Sequence, residues 1–199
     1  MGSEAASSGD GATALAVLAL IAGDLTRLFE SVHGVDWDRP TPCTEWTLGD
    51  LTEHVTGGNR FTIRILSGDT SADAMASARR SFAEDRDTRR SLVTSTLELV
   101  DHLGVAGVLD QIYHHVDGDL SGHEVLRLRL HDLIIHTWDL AQVLQATPAR
   151  IRPELVSWAL ADISADELTA RHFGLELPTD GDASSDQDTL LSAFGRRTP

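Results

Sequence analysis

An aspartate and a histidine four residues apart, Asp132 and His136, and a histidine far upstream, His54, are the residues best placed to do chemistry. The pair lies in LRLRLHDLIIHTWDLAQVL. On an α-helix four residues turn a side chain by only about 40°, so both leave one face, a turn apart. His54 lies in TPCTEWTLGDLTEHVTGGN, about two turns inside a second expected helix. Two imidazole nitrogens and a carboxylate oxygen converging from two helices suit a catalytic divalent metal, with a coordination position left for water or substrate. Spacing alone leaves two bland alternatives standing: a solvated Asp/His pair, and a core histidine bonded to a carbonyl. Leu133, Leu140 and Val143 lie on or beside the Asp132/His136 stripe, which makes that face interior. A buried acid beside an imidazole is expensive without a metal or cation, and this favours ligands.

Around this trio the candidates have paired readings. Asp139 falls within about 20° of the ligand stripe and is either an acceptor for a ligand histidine or an arginine partner. Arg129, one turn before Asp132, either greets an anionic substrate or pairs with an acid; it and Asp139 are the catalytic candidates. Trp37, in a loop, is the expected pocket wall, and Asn59, Arg60 and Tyr113 are further cofactor-binding candidates, with His114 and His115 beside them. Trp46, Trp138 and Trp158 read as core or staple residues, and His33, His102, His123, His131 and His172 as surface or capping residues. Cys43 is a nucleophile if a helix cap lowers its pKa, or a small packing residue under the loop, the reading preferred. A swing into the metal as fourth ligand is not expected, because its loop lies between prolines.

Helices must hold these residues. Ala14, Leu18, Ile21, Leu25, Leu28 and Val32 keep a 4-3-4-3-4 rhythm, an amphipathic helix that His33-Gly34 ends. Two prolines keep the next loop irregular. Thr47 as N-cap with Asp50 at the third helical position makes a capping box, and Trp46 can staple onto Leu51. Leu51, His54, Val55 and Gly58 share a face, which points His54 into the core. Gly57-Gly58 requires a helix or a ligand to come close to the backbone. A third helix is expected to end near Leu103 with Val93, Leu97 and Val100 as its stripe. Val108 to Val116 partly alternates before the turn Asp117-Gly118-Asp119, a short extended excursion. The fourth helix follows Gly122 and runs to about Gln145; Pro153 opens a fifth, and Ser185 with Asp188 caps a last one closed by Gly195. The fold predicted is all-α: a four-helix bundle over 11–150, with a C-terminal helical extension, 151–199, packed on it. Residues 1–10 are expected to be disordered or added for expression.

Composition removes whole classes of function. Net charge is −15, without the basic stripe a nucleic-acid groove needs. The chain has no lysine, which excludes Schiff-base chemistry, a pyridoxal-phosphate anchor and a P-loop. Cys43 is the only cysteine, so no intrachain disulfide forms and a cytoplasmic location fits. No run of about 18 apolar residues is evident, so no membrane span is expected. Ala12 to Ala22, flanked by Asp10 and Asp24 with no basic stretch before it, is not expected to be a signal peptide.

Three blocks, PTPCTEWTLGDLTEHVTGGN, DLIIHTWDLAQ and QDTLLSAFGRRTP, occur in order and together resemble the DinB/YfiT-like bundles. More closely they resemble the metal-binding proteins grouped with mycothiol-dependent maleylpyruvate isomerase. The resemblance implies a four-helix bundle whose metal is held by a histidine of the second helix and an acid-x-x-x-His of the fourth. In this chain those are His54, Asp132 and His136. It implies a divalent metal, Zn²⁺ first with Ni²⁺ or Fe²⁺ as alternatives, and mycothiol as the thiol. Two departures matter. The isomerase carries Glu where this chain has Asp132, one methylene shorter, and it has a substantial C-terminal domain where only about fifty residues follow here. The isomerase reaction is therefore not carried over.

The function expected is a metal-dependent enzyme that activates a low-molecular-weight thiol for transfer to, or isomerisation of, a small electrophile. Its partners would be that thiol and a small-molecule substrate, with no nucleic acid and no membrane, and a homodimer is allowed. The alternatives are a metal-dependent hydrolase and a non-enzymatic metal-binding bundle.

Overall fold

The computed structural model describes residues 3–30, 34–84, 87–144, 149–175 and 185–197. Its helices are α1 (Ser3–Glu30), α2 (Leu48–Leu66), α3 (Ser71–Glu84), α4 (Thr88–Leu103), α5 (Gly122–Leu144), α6 (Pro153–Ala165), α7 (Glu167–Phe173) and α8 (Asp186–Ala193). Between α4 and α5 lies a hairpin of β1 (Ile112–His115) and β2 (Gly118–Ser121). The chain is all-α in character, and α1, α2, α4 and α5 form the four-helix bundle; α3 lies outside on α2.

The apolar rhythm of α1 becomes its buried face: Leu18, Ile21, Leu25 and Phe29 are fully inaccessible. Val32 and His33 fall outside the described residues. By length and composition alone Gly11–Glu30 is apolar enough to cross a membrane, contrary to the sequence expectation. That expectation stopped at Asp24, yet one charged pair does not break the stretch; here its apolar stripe packs on α4 and α5. The helix also begins at Ser3, over residues set apart from the bundle as a terminus.

α2 starts at the capping box foreseen: Thr47 Oγ1 accepts from the Asp50 N–H, and Asp50 Oδ2 accepts from the Thr47 N–H. Before it, Glu45 takes a left-handed conformation (φ 68°) in a turn closed by the Trp46 N–H on the Cys43 carbonyl. This turn delivers Cys43 and Trp46 to α5.

The single third helix expected is two, α3 and α4. Its stripe was also misplaced: Leu97 is exposed, and the buried face is Leu92, Ser95, Thr96, Leu99 and Leu103. Ser91 is buried with them, and Ser95 and Thr96 occupy that face because Asn59 of α2 donates to both, to Ser95 Oγ at 3.2 Å and Thr96 Oγ1 at 3.0 Å. A search for apolar residues alone chooses the wrong register. The extended excursion is a two-stranded antiparallel ladder, Ile112 opposite Ser121 through His115 opposite Gly118. Tyr113 and the His115 side chain face inward, while Ile112 and Val116 face out.

The C-terminal pieces close over α5. Arg127 of α5 donates to Asp162 and Asp166, and His131 Nε2 lies 2.8 Å from Asp162 Oδ2. His131 is thus fully buried, not a surface residue. α8 has the Ser185–Asp188 cap foreseen, and Gly195, at φ 69°, turns the chain back after it.

Candidate metal centre

Asp132 of α5 stands between two imidazoles. Its Oδ1 lies 3.1 Å from His54 Nε2 and 3.4 Å from His136 Nε2, and the three ligand atoms fall within 4.8 Å of one another. Ligands 2.0–2.1 Å from a tetrahedral ion are separated by roughly 3.3 Å, which the 3.1 and 3.4 Å separations from Asp132 Oδ1 match. His54 is not a core residue as its helix face suggested; its side chain keeps 38% of its exposure, at the edge of a cavity.

Each group has a second hold. Asp132 Oδ2 accepts from Arg129 Nη1–H, which leaves Oδ1 to the histidines. Arg129 is 6% exposed; its Nε and Nη2 donate to Asn59 Oδ1, and Nη2 also donates to the Val55 carbonyl. Of its two foreseen roles the acid partner is the one seen. The guanidinium explains the glycine in α2: a Cβ on Gly58 would stand 2.2 Å from Arg129 Nη1. His136 Nδ1–H donates to Asp139 Oδ2 at 2.9 Å, which fixes the ring with Nε2 toward Asp132. Asp139 also accepts from Arg196, so it is both histidine acceptor and arginine partner.

Burial, the largest influence, pushes His136 down, but the Asp132 charge and hydrogen bonds to Asp132, Asp139 and Cys43 outweigh it and hold it at about 11. Burial pushes Asp132 up; Arg129 and His136 more than offset this and hold it well below the usual carboxylate range. Without a metal, His136 is therefore an imidazolium paired with a carboxylate. A cation bound at this point would take the place of that proton.

Cys43 is buried as foreseen, but it is wired in. Its thiol donates to Asp139 Oδ2 and accepts from Arg196 Nη2, each at 3.1 Å. It stands 3.8 Å from His136 Nδ1, on the ring edge away from Asp132.

The trio sits where two cavities meet. The larger, about 730 Å³, reaches His54, Arg129 and Asp132 and has walls from α2, α3, α5, α7 and the hairpin. The smaller, about 430 Å³, reaches Asp132 and His136 from the side of Phe194 and Arg196. Trp46, not Trp37, is the tryptophan of the site: its ring centroid lies 4.8 Å from that of His54 and 6.0 Å from that of His136. Trp37 lines neither cavity; its carbonyl accepts from the Gly49 N–H. Arg60 is not among the cavity walls. Asn59 is fully buried and holds Arg129 instead. Tyr113 is buried, with its hydroxyl on the Val108 carbonyl, and His114 is exposed beside Asp119. His115 does line the larger cavity, and so do Phe61 and His172, which sequence patterns did not single out. Trp46 carried a signal, directly before the cap of the His54 helix; Arg196 carried one only within the closing block.

Comparison with known proteins agrees with this architecture. Residues 18–141 match the family model described as the mycothiol maleylpyruvate isomerase N-terminal domain. Two uncharacterised proteins from two strains of Mycobacterium tuberculosis are each 30% identical over 120 residues, 57% of this chain. The chain spans 58% of the length of those relatives. Among solved structures, a histidine-to-alanine mutant of mycothiol-dependent maleylpyruvate isomerase superposes with a TM-score of 0.54 at 15% identity. The isomerase itself gives 0.51 at 16%, each covering 79% of this chain and 70% of the other. At that identity the likeness is one of fold.

Proposed function

The chain belongs to the mycothiol maleylpyruvate isomerase N-terminal domain family, and from that premise we propose that it is a metal-dependent enzyme using a small thiol. The thiol, mycothiol or a close analogue, adds to or is exchanged onto a small electrophile, by S-transfer or by reversible addition that isomerises a double bond. The unit would be the bundle of 11–150 with 151–199 packed on it, working in the reducing cytoplasm. The observation that carries the proposal is Asp132 Oδ1 held between His54 Nε2 and His136 Nε2 at the floor of a cavity large enough for a small molecule.

In this reading His54, Asp132 and His136 hold a divalent ion, Zn²⁺ first. Such an ion lowers the pKa of a thiol that reaches it, so that the thiolate predominates at neutral pH. The protein does the rest. Asp139 fixes the tautomer of His136, Arg129 orients Asp132, and Trp46 covers both histidines and limits water. Cys43, on the far side of His136, does not fill the position meant for thiol or substrate.

Glu53 lines the same cavity, one residue before His54, and is held above its usual pKa by burial and by Asp50. A carboxylate there could serve a water nucleophile, which favours hydrolysis as the second reading. Incubation of zinc-loaded protein with mycothiol and an electrophile panel separates the two: a thiol adduct or a thiol-dependent isomer supports the first, thiol-independent cleavage the second. His54→Ala, Asp132→Ala and His136→Ala should each lose stoichiometric metal by elemental analysis, whereas Asp132→Glu, the longer acid of the isomerase, should keep it. Full metal in any two of the alanine variants would sink the site.

A further inference from the structure

Behind α5, on the side its helical turn directs away from Asp132 and His136, lies a third cavity that the proposal above does not use. Its volume, about 410 Å³, is that of a small-molecule site. α1, α5, the irregular segment 149–152 and the start of α6 enclose it. Its apolar wall is buried throughout: Leu28, Ile134, Trp138, Ala141, Ile151 and Leu155. The Trp138 indole N–H donates to the Ala149 carbonyl at 3.1 Å, which fixes the ring.

Charge sets this cavity apart from the rest of the molecule. Over the whole chain 31 acids face 16 arginines, yet here Arg27, Arg150 and Arg152 meet a single lining acid, Asp24. Arg152 spends Nε and Nη2 on Asp24, at 2.7 and 2.8 Å, and Arg27 donates to Asp24 Oδ1 as well. Burial pushes the pKa of Asp24 up, but Arg152 and Arg27 outweigh it and hold it below its usual value. Asp24 is therefore ionised and cancels one charge of the three. Glu154 acts on Arg152 from outside the wall, which still leaves the positive charge in excess. Arg150 has no acid partner among the described residues. It reaches the cavity because burial alternates along 149–152: Ala149 and Ile151 turn inward, and Arg150 and Arg152 leave the other side together. Cations grouped in an apolar cleft repel one another and focus a positive potential, and a bound anion relieves both.

We propose that this cavity is a binding site for a small amphiphilic anion, its phosphate or carboxylate head on Arg150 and Arg152 and its apolar body against Trp138, Ile134 and Leu155. Either head presents paired oxygens that match the fork of a guanidinium. Arg150 recognises the head with its whole guanidinium, and Arg152 adds Nη1, the nitrogen that Asp24 leaves to it. Arg27 and Arg152 hold Asp24 between them and so keep that acid from pairing with Arg150. The site uses neither the trio nor a thiol, and each reading can fail without the other.

The test is a titration of the full chain, followed through the indole N–H resonance of Trp138 in ¹⁵N-labelled protein. Phenyl phosphate and 3-phenylpropanoate are the probes; inorganic phosphate and phenol supply the head alone and the body alone. At least one probe should bind one to one, shift Trp138 and weaken as salt rises, and the tighter of the two identifies the head. Head alone and body alone should each bind roughly tenfold or more weakly than that probe. Arg150→Gln removes an exposed charge and should leave Tm and zinc content unchanged while raising the Kd of the tighter probe roughly tenfold. Arg197→Gln, an equal charge change at an exposed residue outside the cavity, should leave that Kd unchanged. The proposal is overturned by absence of saturable binding, by binding that moves His54 and His136 but not Trp138, or by equal effects of the two arginine variants. Inorganic phosphate binding as tightly as phenyl phosphate would overturn it too, because the apolar wall would then contribute nothing.

Discussion

At Asp132 the two carboxylate oxygens face different partners, one a buried guanidinium and one a pair of imidazoles, and that division makes the residue a candidate ligand. It would also make uptake of a metal there a proton exchange. His136 carries its extra proton up to about pH 11 in the metal-free protein, so an ion binding at pH 7.5 must expel it. Calorimetric zinc titrations in buffers of different ionisation enthalpy should show at least one proton released per ion, with affinity rising as pH rises; zero release would contradict a protonated His136. The stability linkage has the opposite sign. With its folded pKa above its unfolded value near 6.5, His136 contributes its full share to metal-free stability below about pH 6.5 and loses it as pH climbs toward 11. Asp132, shifted downward, contributes above its usual pKa and loses that share as pH falls through the lowered one. The trio was legible because helical spacing places Asp132 and His136 on one face. Arg129 and Asp139 were legible as paired alternatives. The place of Trp46 beside the cap of the His54 helix was legible but its part in the cavity was not, and His172 was not legible at all, since nothing local to a seven-residue helix says which cavity a ring will line.

Among the elements, α2 and α5 define the site, and Gly58 sets how closely they approach. Alanine in a helix interior ordinarily gains about 1 kcal/mol over glycine. At Gly58 the new methyl would meet Arg129 Nη1 at 2.2 Å and Cζ at 2.7 Å, and Arg129 is pinned by Asp132, Asn59 and Val55. Gly58→Ala should therefore lower the melting temperature and the zinc content together. Gly23→Ala on α1, where the nearest atom is 3.5 Å away, should gain stability by up to the propensity difference. Equal stabilisation of both would mean that Arg129 yields easily and does not fix Asp132. The need for close approach at Gly57-Gly58 was readable; the identity of the neighbour, an arginine 71 positions later, was not. The α4 register failed for a related reason, because a buried polar ladder from Asn59 to Ser95 and Thr96 hides a core face from any pattern that counts only apolar residues.

On the scale of the whole molecule, the end of the chain completes the site that its middle begins. Arg196, just past α8, donates through Nε and Nη2 to Asp139 and through Nη2 to Cys43, a partner 153 positions earlier. The guanidinium thus ties the loop before α2, the helix α5 and the C-terminal turn into one hydrogen-bonded cluster behind His136. No periodicity encodes such a contact, and only the closing block, by resemblance, marked the tail. A bundle core made by α1, α2, α4 and α5 does not depend on it, as the fully buried Leu18, Leu51, Leu99 and Leu126 show. Arg196→Met should accordingly leave the bundle folded, with helical circular dichroism unchanged, while Asp139 loses its cation and holds His136 less firmly. Removing a partner behind a metal-ligating histidine weakens affinity roughly 10- to 100-fold. Competition for Zn²⁺ with a chelator should show a loss of that order, and Asp139→Asn should show a similar one. Because both changes act through the same ring nitrogen, the double variant should be little worse than either alone. Additive losses would instead mean that Arg196 acts through Cys43 and the loop, making the tail a support for Trp46 rather than for His136.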